Sequence, residues 1–107
     1  MTDRELLERA ARAAGLRISN RLTDGGLMVM SDGRRFPHRW NPLSDDGDAL
    51  RLAVQLSMDV CQTGRLAHAL IITNEECDVY DAQETLDAEP FAATRRAIVR
   101  AAAGLAP

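Results

Sequence analysis

Residues 34 to 40, Arg34-Arg35-Phe36-Pro37-His38-Arg39-Trp40, interleave three guanidinium groups and an imidazole with two aromatic rings. Cations that track a phosphate backbone, set among rings on which bases stack, are the means by which proteins hold single-stranded nucleic acid. Arg34, Arg35, Arg39 and Trp40 are therefore candidate macromolecule contacts. A structural reading competes with this one and is the stronger. Trp40 is the only tryptophan of the chain and precedes the Asn41-Pro42 approach to a helix, where its apolar surface would close one end of the core. Arginines in a loop of an acidic chain are commonly just solvated.

Asp45, Asp46 and Asp48 form a second group, and clustered carboxylate oxygens are what a hard cation requires. A calcium loop also needs alternating ligands and a closing Glu, and no such series follows Gly47. Acids in a first helical turn instead meet unpaired N–H groups and the positive end of the helix dipole, each contributing about 0.3 to 1 kcal/mol. Capping is the expected role, and no metal or cofactor is expected.

Cys61 and His68 could form a nucleophile and base couple, and His38 with His68 a metal pair. Neither has a third partner at a recognisable spacing, and the chain has no Gly-rich phosphate loop, GxSxG elbow or HExxH pair. The expectation is a protein that is not an enzyme. Cys61 and Cys77 lack CxxC spacing, so two reduced, mostly buried thiols are expected in place of a disulfide or zinc site.

The formal charge of -3 is unevenly distributed. Residues 75 to 89 hold Glu75, Glu76, Asp78, Asp81, Glu84, Asp87 and Glu89 with no base, whereas the last eighteen or so residues hold only Arg95, Arg96 and Arg100. Glu75 and Glu76 open this acidic segment and are candidate contacts to a basic partner surface. A generally basic nucleic-acid-binding face is not indicated. All 13 basic residues are Arg, a bias that a GC-rich coding sequence produces, so no single Arg is read as chosen for its fork.

These groups must be carried by seven elements, or eight with a short third strand. Thr2 with Glu5 is a capping-box pattern, and Leu6, Leu7, Ala10, Ala11, Ala13 and Ala14 then line one side of a helix that Gly15 ends. Alternation from Leu16 to Ser19 and again from Leu27 to Met30, around Thr23-Asp24-Gly25-Gly26, predicts a hairpin. Ser31-Asp32-Gly33 is a further turn, and residues 34 to 38 form a short third strand that Pro37 confines to an edge. A central helix is expected from Ser44 or Asp45 to about Cys61, its wide apolar arc making it the most buried of the helices. Leu66 to Thr73 reads as an interior strand, Asn74-Glu75-Glu76 as a turn, Cys77 to Asp81 as a half-wet strand, and Pro90 to about Gly104 as a last helix.

The segment Trp40-Asn41-Pro42-Leu43 followed by Asp45-Asp46-Gly47-Asp48-Ala49-Leu50-Arg51-Leu52-Ala53-Val54, with the closing run from Ala92 to Ala103, resembles the small bacteriophage and prophage proteins grouped as the phage ABA sandwich domain. The resemblance implies an α/β/α layering and no enzymatic activity. Together with the element order it leads to one α+β domain over residues 1 to 107, an α/β/α-type sandwich with a mainly antiparallel sheet of about four strands and three helices; a two-layer sandwich is the alternative.

The expected function is that of a cytoplasmic phage or prophage accessory protein in a bacterial host, binding a protein partner. Nucleic-acid binding through residues 34 to 40 and an acidic nucleic-acid mimic built on 75 to 89 are the alternatives. Self-association is a variant of the first reading. No run of roughly 20 apolar residues suggests a membrane span.

Overall fold

A computed structural model describes residues 1–19, 25–30, 33, 35–72, 79–86 and 89–106. The first helix, α1 (Asp3–Ala13), begins at the expected N-cap, where the Thr2 hydroxyl accepts from the Glu5 N–H at 3.2 Å. Leu6, Leu7, Ala10 and Ala11 are its buried face, and Gly15 at φ +75° turns the chain away.

Strands β1 (Arg17–Ile18), β2 (Leu27–Met30) and β3 (His38–Trp40) make an antiparallel meander in that order. The hairpin is as expected, although residues 20–24 of its turn, like 31, 32 and 34, lie outside the described residues. The third strand is displaced from the expected 34 to 38. Directly paired residues share a face of a sheet, and the register Leu27↔Trp40 and Val29↔His38 sets the Trp40 ring on the same face as buried Leu27 and Val29. Burial of that ring draws pairing to the C-terminal side of Pro37, which has no N–H to give a ladder.

Helix α2 (Asp46–Gln55) stops well short of Cys61. Ser57 takes a left-handed conformation at φ 52°, and the chain then becomes β4 (Asp59–Thr63), paired antiparallel with β5 (Leu66–Ile72). The apolar positions after Gln55 satisfy strand alternation as well as helical period, and ladder bonds to β5 decide between them. The hairpin turn is Gly64-Arg65, with Gly64 at φ +61° and Arg65 at negative φ, which is the order a type II′ turn needs. Strand β6 (Val79–Thr85) completes a second meander, β4-β5-β6, and runs four residues past the expected strand end at Asp81. The turn at 74–76, with Cys77 and Asp78, lies outside the described residues.

Helix α3 (Pro90–Leu105) has Pro90 in its first turn, as expected, and is the most deeply placed helix. Ala97, Ile98, Val99, Ala101, Ala102 and Ala103 are all buried, whereas α2 buries only Ala49, Leu52 and Ala53 and leaves Leu50 and Val54 exposed. The expectation that the helix from 45 would be the most buried is therefore wrong. α3 lies on β5 and β6 and is flanked by α1 and α2, while α1 also meets β1 and β2 and so joins the two sheets. Among the described residues the fold is α+β, with three helices and two three-stranded antiparallel sheets in place of one sheet of about four strands. No helix among the described residues is long and apolar enough to cross a membrane.

Candidate functional site

The β4-β5-β6 sheet has one covered and one open face, and pairing register assigns each side chain to one of them. On β5, Ala67, Ala69 and Ile71 are buried on the side of α3. Leu66, His68 and Leu70 then point the other way, because side chains alternate along a strand. Their direct partners share that face: Thr63 and Thr85 beside Leu66, Cys61 and Gln83 beside His68, Asp59 and Asp81 beside Leu70. All of these neighbours are exposed, and His68 and Leu70 are half-buried by them.

At the centre, His68 Nδ1 lies 3.6 Å from Asp81 Oδ1, and Gln83 Nε2 donates to Asp81 Oδ2 at 3.3 Å. Cys61 Sγ lies 3.8 Å from the Thr63 hydroxyl. The couple considered from the sequence, Cys61 and His68, is thus brought side by side as a cross-strand pair, with Asp81 as a third group behind the imidazole. The thiol is exposed, which corrects the expectation of a buried one. Sequence reasoning missed Asp59, Asp81 and Gln83. The signal was Gly64-Arg65: a two-residue turn there pairs Thr63 with Leu66 and so Cys61 with His68. His38 is in the other sheet and does not meet His68.

The other candidates are distributed over the surface and the core. Trp40 is buried at 6 % exposure, while Arg35 and Arg39 are exposed. Arg34, Glu75 and Glu76 lie outside the described residues.

Each carboxylate of the aspartate group has a structural partner. Asp45 Oδ2 caps α2 by accepting from the Asp48 N–H at 2.8 Å, and Asp46 meets Arg95 at 2.6 Å. Asp48 accepts from the Asn41 N–H at 2.9 Å and from Arg51 at 2.8 Å. Among the described residues no group of His, Cys, Asp and Glu is arranged to hold a metal ion. The arginines of α3 are held by acids as well, Arg96 by Asp3 and Glu84 and Arg100 by Glu84.

No known protein family, curated protein or solved structure matches the chain.

Proposed function

We propose that the protein is a non-enzymatic binding module that docks a protein partner on the open face of β4-β5-β6. In this reading it is a phage or prophage accessory protein of the ABA sandwich kind that residues 40 to 54 resemble, acting in the cytoplasm of a bacterial host. The α/β/α layering implied by that family name is part of the same proposal.

The observation that carries the reading is the make-up of the open face. Leu66 and Leu70 offer apolar contact, the Cys61, His68 and Gln83 row and the two threonines offer directional polar groups, and Asp59 and Asp81 are its charges. A mixed surface of this kind suits a protein interface, and two carboxylates disfavour a phosphate backbone. Burial of Trp40 leaves Phe36 as the one exposed ring of residues 34 to 40, fewer stacking platforms than the sequence offered, and the α3 arginines are already engaged.

The test is retention of protein from bacterial lysate by the wild type and by a Leu66→Asp, Leu70→Asp variant. Specific retention by the first and loss by the second, at equal helicity, is the expected result. A wild type that retains nothing, or a variant that retains the same protein, overturns it. Salt-sensitive nucleic-acid binding that disappears in Arg35→Ala, Arg39→Ala would put the alternative in its place.

A further inference from the structure

We propose that two copies of the chain form a two-fold dimer by antiparallel pairing of β4 with β4, with Cys61 on the dyad. The pairing extends the open face without covering it, and so does not rest on what docks there.

β4 is an edge strand whose five residues are all exposed. Which way its backbone groups point follows from the neighbouring ladder. The Leu86 N–H donates to the Arg65 carbonyl at 2.6 Å, so Arg65 and, by alternation, Ala67 aim at β6 while Leu66 aims at β4. Thr63, directly opposite Leu66, therefore bonds inward, as do Cys61 and Asp59. The N–H and C=O of Val60 and Gln62 point out from the sheet, toward an edge that no strand among the described residues occupies.

That edge carries few of the usual protections. It has no proline and no basic residue, and its one charge, Asp59, stands at its end. The left-handed residues Ser57 and Gly64 bound the extended stretch on either side, so only the register centred on Cys61 pairs all five residues. In that register Val60 meets Gln62 of the second copy and the reverse, giving four backbone hydrogen bonds. Asp59 meets Thr63, and the two Asp59 carboxylates fall about 14 Å apart, beyond the screening length at 0.1 M salt. No like charges oppose each other along the seam.

Apolar surface lies beside the same edge. Leu50 and Val54, 64 % and 70 % exposed, follow Asp46 at successive turns of α2, and Asp46 meets Arg95, one turn after the exposed Phe91 on α3. Val60 and Gln62 face α3 from β4, and Gln62 Nε2 donates to Thr94. Leu50, Val54, Val60 and Phe91 are thus the exposed apolar residues of a seam in which α3 meets both α2 and β4. A dyad perpendicular to the sheet at Cys61 sets two such seams on one side of a six-stranded sheet, where each supplies the apolar area that edge pairing alone lacks.

On the dyad the two Cys61 form a non-hydrogen-bonded pair with Cα atoms about 4.5 Å apart, within the span of a disulfide. This makes a direct probe. The full chain carrying Cys77→Ser is treated with diamide, which takes two electrons and two protons from the paired thiols as it is reduced to the hydrazine and the S–S bond forms. Sedimentation equilibrium of the wild type is expected to give twice the 11.7 kDa chain mass, and diamide is expected to link Cys61 to Cys61.

Val60→Pro removes an outward N–H without touching the β5 ladder, and Leu50→Glu, Val54→Glu charges the exposed seam. Each is expected to return the single-chain mass and abolish the cross-link; should Val60→Pro lose its circular dichroism, the α2 variant decides. A single-chain wild type, or a dimer that persists in the α2 variant, overturns the proposal. A monomer that still retains its partner through Leu66 and Leu70 overturns the dimer and leaves the open-face reading standing, and a dimer that retains nothing does the reverse.

Discussion

Trp40 stands at the end of an arginine-rich run, yet its ring is inside, on the face of β3 that also holds Leu27 and Val29 across the strand. Trp40→Ala should therefore destabilise the fold by about 3 to 5 kcal/mol, measured by urea denaturation. An unchanged midpoint would mean that the ring does not contribute to the core and would return residues 34 to 40 to the list of binding candidates. Asp45→Ala removes one acceptor from the start of α2 and should cost about 0.5 to 2 kcal/mol. Its midpoint should fall less than that of Trp40→Ala, and the reverse order would contradict the capping role. Both residues belong to the strand-to-helix joint that Asp48 closes by accepting the Asn41 N–H, so the central motif is explained by folding before any ligand is invoked.

At the scale of elements, glycine geometry decides where the chain turns. Gly26 takes φ +75°, and a Cβ there would lie 2.7 Å from Asn41 Cβ and 2.8 Å from the Trp40 carbonyl oxygen. Gly26→Ala should accordingly cost more than the roughly 1 to 2 kcal/mol of the left-handed backbone alone, because Asn41 and the β3 backbone must also move. A thermal melt unchanged from wild type would show that β2 and β3 are not held this closely. Gly64 acts differently, as the first central residue of the β4-β5 turn. It sets the register that brings Cys61 beside His68, which is how an open sheet face arises from a segment with helical as well as strand periodicity.

For the whole molecule, the notable property is how much of the core is alanine. Ala10 and Ala11 of α1 and Ala97, Ala101, Ala102 and Ala103 of α3 are buried in a core in which α3 packs on both α1 and the β5-β6 face. Small side chains let backbones approach closely, and a core of this kind has little room for added volume. Ala102→Leu, at a position of 0 % exposure, should destabilise by about 1 to 3 kcal/mol through overpacking. Equilibrium unfolding checks this, and a neutral or stabilised variant would reveal an unfilled space beside α3.

Capping and turn chemistry are local, and where the deciding interactions are local the sequence was sufficient. Thr2 and Glu5 determined the start of α1, Gly15 its end, Pro90 the start of α3, and Leu66 to Ile72 were recognisable as an interior strand from their apolar continuity alone. Tertiary structure decided the rest, for reasons that pairing distance makes plain. Residues 59 to 61 carry a pattern that serves helix or strand, and only the ladder to β5 chose strand. The assignment of six strands to two sheets depends on which faces α1 and α3 cover, and helix burial depends on neighbours, so α3 and not α2 became the centre. The Gly64-Arg65 turn sets Cys61 opposite His68, whereas the place of Asp81 beside His68 is a property of the β5-β6 register, which no linear spacing in the chain encodes by itself.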